Sequence, residues 1–292
     1  MYESYDSLAG QVAVITGAGR GIGEVIAGTL ALAGMTVVML GRSGHLLSAA
    51  AERICCQGAK AYAMTLDVTD VTAVQQCFAQ INDVHGAIDL LVNNAGNMGP
   101  LGNTWDVDVM QWWKTIETHL LGSFLCTHAV MPLMPPHKPG RIINIVSHAG
   151  VYRWPTASAY SVAKAALIKF TENVAVEAKS TRIKLFAYHP GIVIGTGLVS
   201  NLRAVPAASE SAHAHLLAWV EEQRLAGNSV TASDSANGVL RLATGDYDAL
   251  NGRYISVHDD LELLLRQAPE IKFTDALTLR LKPLDFNDPF DL

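Results

Sequence analysis

The chain has 292 residues, 50% hydrophobic and 16% charged, enough to bury a sizeable core and in keeping with one large α/β domain. Its net charge of −6, with no basic block, argues against a nucleic-acid partner. Four cysteines (Cys55, Cys56, Cys77, Cys126) form no C-x-x-C pair and are too few for a disulfide scaffold, so a reduced, cytoplasmic setting is expected. The first residues lack the basic start and apolar run of a signal peptide, and no uncharged apolar stretch is long enough to cross a bilayer.

Taken in chain order, short β-branched runs predict buried parallel strands over 12–16, 36–40, 61–66, 90–93, 141–146 and 183–188, with a last strand over 252–257. Alanine-rich stretches between them predict helices over 21–33, 43–56, 71–85, 107–131 and 157–178. Strand and helix alternating in this way imply right-handed βαβ units and a doubly wound parallel sheet with helices on both faces. Two segments break the rhythm. Residues 195–228 are irregular, then helical around 213–225, and read as a substrate lid. After 258 a short helix over 261–267 leads into a tail bearing proline and aspartate, set apart as an extension over 259–292 with no role assigned.

Directly after the first strand comes Thr16-Gly17-Ala18-Gly19-Arg20-Gly21-Ile22-Gly23, which runs into a helix. Glycines at a strand–helix turn let the backbone approach a pyrophosphate, and the helix N-terminus adds N–H donors and the positive end of a dipole. The spacing is G-x-x-x-G-x-G rather than G-x-G-x-x-G, and a tight corner without a ligand remains the alternative. The second strand ends at Gly41-Arg42-Ser43. A carboxylate near this point would select the ribose 2′-hydroxyl of NAD(H). Here Gly41 takes that place, and Arg42, Ser43 and Arg20 suit the 2′-phosphate of NADP(H), unless Arg42 is only a solvated strand-end residue.

The chemistry-bearing constellation is Tyr160 and Lys164, four apart on a predicted helix, with Ser147 thirteen residues before the tyrosine. Residues four apart share a helix face about 5–6 Å apart. A lysine ammonium there is expected to pull the phenol pKa down from about 10, making Tyr160 a general acid/base with Ser147 as a second hydroxyl.

With these pieces in order the chain resembles the short-chain dehydrogenase/reductase family. The resemblance spans roughly residues 8 to 257 and rests on the glycine turn, Asp67-Val68, Asn93-Asn94-Ala95-Gly96, Ser147, Tyr160/Lys164 and Pro190-Gly191. It implies a single-domain Rossmann fold over 1–258. It further implies that Asp67 and Val68 hold adenine, that Asn94, Ala95 and Gly96 shape the ribose side, and that Lys164 holds the nicotinamide ribose. Pro190, Gly191 and Val193 would border the nicotinamide. The implied activity is hydride transfer between NADP(H) and a carbonyl or alcohol, with Tyr160 as acid/base. A homodimer or homotetramer is the implied assembly, although the family's usual Asp-Gly-Gly end is here Val257-His258-Asp259-Asp260.

Two departures stand out. His119 occupies the place of the family's asparagine, either as a proton relay or as a satisfied core histidine, and Thr196 lies one position later than the usual threonine. His213-x-His215 lacks metal-ligand spacing, and no metal is expected. Met98, His148, Trp154 and Tyr188 are the expected substrate surroundings, suited to a largely apolar small molecule. Non-redox chemistry on the same fold and a non-catalytic NADP-binding protein remain competing readings.

Overall fold

The structure, a computed structural model, describes residues 8–194 and 212–281. Seven parallel strands form one sheet in the order β3-β2-β1-β4-β5-β6-β9: β1 (Val12–Thr16), β2 (Thr36–Gly41), β3 (Lys60–Thr65), β4 (Leu90–Asn93), β5 (Arg141–Ile145), β6 (Lys184–His189) and β9 (Tyr254–Ser256). A two-stranded pair, β7 (Ile192–Val193) and β8 (Ser229–Val230), lies beside it. The helices are α1 (Gly21–Leu32), α2 (Gly44–Cys55), α3 (Val71–His85), α4 (Val109–Ile116), α5 (Gly122–Val130), α6 (Ser158–Glu177), α7 (Ala212–Leu225), α8 (Ala232–Thr244) and α9 (Leu261–Ile271). No described helix is long and apolar enough to cross a membrane.

Both sheet faces are covered, which is why the strands read as continuous apolar runs. All five residues of β1 are buried. Ala13 and Ile15 pack with α1 and α8 residues such as Ile26, Leu30 and Val239, whereas Val12 and Val14 pack with Phe78, Leu125 and Val174 on the opposite face. Leu261, Ala268 and Ile271 of α9 join the first of these cores, so the stretch after 258 shares its packing with the sheet. Arg253 then donates to the carbonyls of Ile271, Thr274 and Ala276, and Glu172 on α6 accepts from Leu279 N and Arg280, strapping the following residues across α6.

The helix expected over 107–131 is three pieces. Between α4 and α5, residues Glu117–Leu121 form a π-helical turn. One extra residue in that turn alters the phase of the helix, and hydrophobic periodicity carries no sign of it. Strand order reverses between β1 and β4, which opens a crevice at the carboxyl ends of the strands, where ligands of such sheets bind.

Candidate active site

The glycine turn sits at one end of that crevice. Thr16 Oγ1 accepts from the backbone N–H groups of Asn94 and Ala95, both at 3.0 Å, and Asn94 Nδ2 donates to Thr16 O at 2.9 Å and Gly17 O at 3.2 Å. The β1 and β4 loops are thereby stitched together. A Cβ on Gly23 would fall 2.4 Å from Asn94 Nδ2 and 2.5 Å from Gly17 O, so the tight turn admits no side chain there. The extended N-cap residue, Arg20, makes no side-chain cap, which leaves the first-turn amides of α1 to the crevice.

Gly17, Gly19, Arg20, Gly21, Ile22 and Gly23 all line one continuous cleft, together with Gly41, Arg42 and Ser43. Asp67 and Val68 lie along the same wall. Burial pushes the Asp67 carboxyl up, but its bonds from the Thr69 amide and hydroxyl, with the Arg42 and Lys114 charges, hold it below its ordinary value overall. Asn94, Ala95 and Gly96 line the cleft beyond, as do Pro190, Gly191 and Val193 opposite them. Pro190 O accepts from Ser235 Oγ at 2.6 Å, and pairing of β7 with β8 fixes Val193. Thr196 and the first part of the expected lid, 195–211, lie outside the described residues.

At the other end, β5 runs into Ser147, whose Oγ accepts from Ala149 N at 3.2 Å. Ser161 Oγ donates to Ala149 O at 2.5 Å, tying the serine turn to α6, which carries Tyr160 and Lys164. Ser147, Tyr160 and Lys164 are 7%, 7% and 4% exposed and all line the cleft, so a group reaching them leaves bulk water behind. Lys164 Nζ lies 5.6 Å from the Tyr160 ring centroid and donates to Ile145 O at 2.5 Å. The expected lowering of the phenol pKa is not what this geometry gives. Burial pushes Tyr160 up to about 12, partly offset by its bond with Ser147, and burial pushes Lys164 down to about 7. Desolvation of the phenolate outweighs what its hydrogen bond returns.

His119 sits on the π turn, 2% exposed, with Nε2 2.7 Å from Asn97 O and 3.1 Å from Asn97 N, donating to the first or accepting from the second according to its tautomer. Its ring meets Tyr160 edge-on at 5.5 Å between centroids. Burial and the Lys164 charge push its pKa down to about 3, and Nδ1 has no partner among the described residues. The imidazole is therefore uncharged near neutral pH, held between Asn97 and the Tyr160 ring.

Met98, His148 and Trp154 line the cleft beside Tyr160. Tyr188 does not. It is 1% exposed in the core and donates to Ser235 O at 3.1 Å, because its position on β6 points it at α8 instead of the crevice. Leu216 and Trp219 of α7, within the stretch expected as a substrate lid, also line the cleft, and so does His189 at the end of β6, which sequence reading missed. It also missed a buried chain in which Asn93 Nδ2 donates to Asn144 Oδ1 at 2.8 Å and Asn144 Nδ2 donates to Thr171 Oγ1 at 2.9 Å. Polar residues at three apolar-facing positions were the available signal.

The chain's relatives agree with this architecture. The short chain dehydrogenase family pattern matches residues 11–206. A short chain dehydrogenase of Pseudocercospora fijiensis (strain CIRAD86) is 31% identical over 283 residues, covering 92% of this chain and 89% of the relative. A 3-oxoacyl-[acyl-carrier-protein] reductase of Synechocystis sp. (strain ATCC 27184 / PCC 6803 / Kazusa) is 40% identical over 206 residues, covering 68% of this chain and 81% of the relative. Among solved structures, a single-residue variant of actinorhodin polyketide ketoreductase with NADPH superposes with TM-score 0.77 at 28% identity, covering 85% of this chain and 95% of that one. With the glycine turn at one end of its cleft, the Ser–Tyr–Lys group at the other and these relatives across its length, the chain belongs to the short-chain dehydrogenase/reductase family of oxidoreductases.

Proposed function

We propose that the protein transfers a hydride between NADP(H) and the carbonyl or secondary alcohol of a medium-sized, largely apolar substrate. The observation that carries this reading is the convergence of Ser147, Tyr160 and Lys164 on the floor of a cleft whose far end holds the glycine turn and Arg42. The residues present fit a dinucleotide. A turn that a Cβ would fill and the uncapped start of α1 suit a pyrophosphate. Arg42 and Ser43, with no carboxylate between β2 and α2, suit a 2′-phosphate. When bound, the nicotinamide supplies or accepts the hydride.

The chain's own groups do the rest. Ser147 Oγ donates to the substrate oxygen and orients it. Tyr160, held protonated by burial, is the acid in the reducing direction and gives its proton to the developing alkoxide. Lys164, with a pKa of about 7, carries enough charge to stabilise the phenolate left behind and to return a proton to it. Met98, Trp154 and Leu216 form apolar walls around Tyr160 that exclude water and favour an apolar substrate. His119 acts through Asn97 and the Tyr160 ring, holding both in place. The free thiols of Cys55 and Cys56, both exposed, suit a reducing cytoplasm. Exposed Trp113, Phe124 and Val162 on α4, α5 and α6 offer apolar surface for a homo-oligomer.

The test is to titrate NADPH and NADH against the purified protein and then follow cofactor absorbance with a panel of ketones and alcohols. NADPH oxidation by at least one apolar ketone is expected. Product formed without net cofactor use would replace this reading with non-redox chemistry on the same site, and binding without turnover would replace it with a non-catalytic one.

A further inference from the structure

Beside the cleft lies a second cavity of about 570 Å³, within the range of small-molecule sites. His148, His189, Ile192 and Trp219 line both spaces, so the two adjoin at these residues. His148 directly follows Ser147, which sets this chamber next to the reacting end of the cleft. Its far wall is Leu277, Thr278 and Leu279, the segment strapped down by Arg253 and Glu172. Leu277 holds a positive φ of 59° there, a conformation that bulky residues seldom adopt, and its carbonyl accepts from Tyr254 N at 2.8 Å. The wall is a fixed element of the fold.

From this boundary a run of nearly parallel rings continues into the second cavity. Trp219 and His148 stack at 5.9 Å and 13°, His148 and His189 at 5.5 Å and 23°, and His189 and Tyr254 at 6.3 Å and 18°. These are offset-stacked separations, and a flat ring laid against the outer face of an end member, Trp219 or Tyr254, extends the stack. The rings are also uncharged near neutral pH. Burial pushes His189 down to about 3, with the charges of His148, His258 and Lys164 adding to it, and burial lowers His148 as well. Burial together with Asp259 and Tyr152 pushes the Tyr254 phenol up. The remaining polar lining is Gln223, Asn228, Ser256, Thr278, His258 and Asp259, suited to a hydroxyl or carbonyl substituent, and the Asp259 carboxylate opposes an anion.

From this geometry we infer that the second cavity binds a planar, uncharged, hydroxylated aromatic ring system, the distal part of the substrate whose carbonyl lies at Ser147 and Tyr160. The inference deepens the hydride-transfer reading and rests on it for the word substrate, but ring binding itself is independent of turnover.

Calorimetric titration of the full chain with 2-naphthol, with and without NADPH, tests it. Val151 and Thr278 both line the cavity, so Val151→Trp and Thr278→Trp each reduce its volume. Each is expected to weaken 2-naphthol binding at least tenfold, with thermal melting and NADPH affinity reporting that the fold is intact. Val151→Trp should also raise KM for 2-acetylnaphthalene about tenfold with little change in kcat. Absent binding to the wild type, or undiminished binding to both variants, overturns the chamber even if small ketones are reduced. Binding lost in both variants while no ketone consumes NADPH upholds the chamber and overturns hydride transfer instead.

Discussion

Gly96→Ala is expected to damage the protein through one side chain. A Cβ at position 96 would lie 2.1 Å from His119 Cε1, 2.7 Å from Nδ1 and 2.9 Å from Nε2, where ordinary carbon contacts need about 3.5–4.0 Å. The ring has little room to retreat. It is buried, pinned at Nε2 by Asn97 and braced edge-on against Tyr160. Overpacking of this kind costs about 1–3 kcal/mol. Relief by moving the ring passes the strain to Tyr160, and a displacement of about 1 Å at a reacting group can cost on the order of a hundredfold in rate. Urea unfolding and kcat, measured for Gly96→Ala, His119→Asn and the double variant, form a closed cycle. The shorter asparagine should make the alanine tolerable, giving a favourable coupling of about 0.5–3 kcal/mol. A Gly96→Ala protein as stable as the wild type, or a double variant no better than the sum of the singles, would refute the reasoning.

Tyr160→Phe should abolish turnover while NADPH affinity, followed by fluorescence, changes little; residual activity within tenfold of wild type would remove the tyrosine as the acid. Arg42→Asp should weaken NADPH binding roughly ten- to a hundredfold and leave NADH nearly unaffected, since it deletes a charge-assisted pair and adds repulsion. Equal losses for both cofactors would count against a 2′-phosphate site. His119 titrates at about 3 in the fold against 6.5 in the unfolded chain, so the unfolded state takes up the proton first and stability falls as pH falls below 6.5. Between pH 6.5 and 4.5 this one group should cost about 2–3 kcal/mol. Urea midpoints across that window should therefore fall less steeply in His119→Asn than in wild type, and parallel slopes would show that the ring is already charged.

Much of the frame is legible in the sequence because it is local. Apolar runs such as Val12–Thr16 announce strands buried on both faces, and a glycine turn at the end of the first strand announces the crevice. Every residue expected along the dinucleotide path lines one cleft, since the order of motifs follows the order of strand ends. What escaped depends on distance or on phase. The π turn under His119 adds a residue to a helix whose apolar period hardly changes. Tyr188 is one position before His189 on β6, and that single step decides which face of the sheet receives the ring. The strap over Glu172 joins residues more than a hundred apart, and no local pattern announces such a pairing. The Tyr160 pKa turned on burial, which spacing along a helix does not reveal.

The buried chain from Asn93 through Asn144 to Thr171 works as an indexing pin for α6. Apolar packing sets which face of that helix is buried, through Ala163, Leu167, Ile168 and Val174, but small rotations cost it little. Three amide and hydroxyl groups locked away from water accept one setting only, the one in which each meets its neighbour. Lys164 and Thr171 ride on the same helix, seven residues apart, so whatever fixes the phase at Thr171 fixes it at the lysine and the tyrosine too. Inserting one residue between them would turn the catalytic pair by about 100° relative to the pin. The helix would then have to choose between satisfying its interior and addressing the cleft.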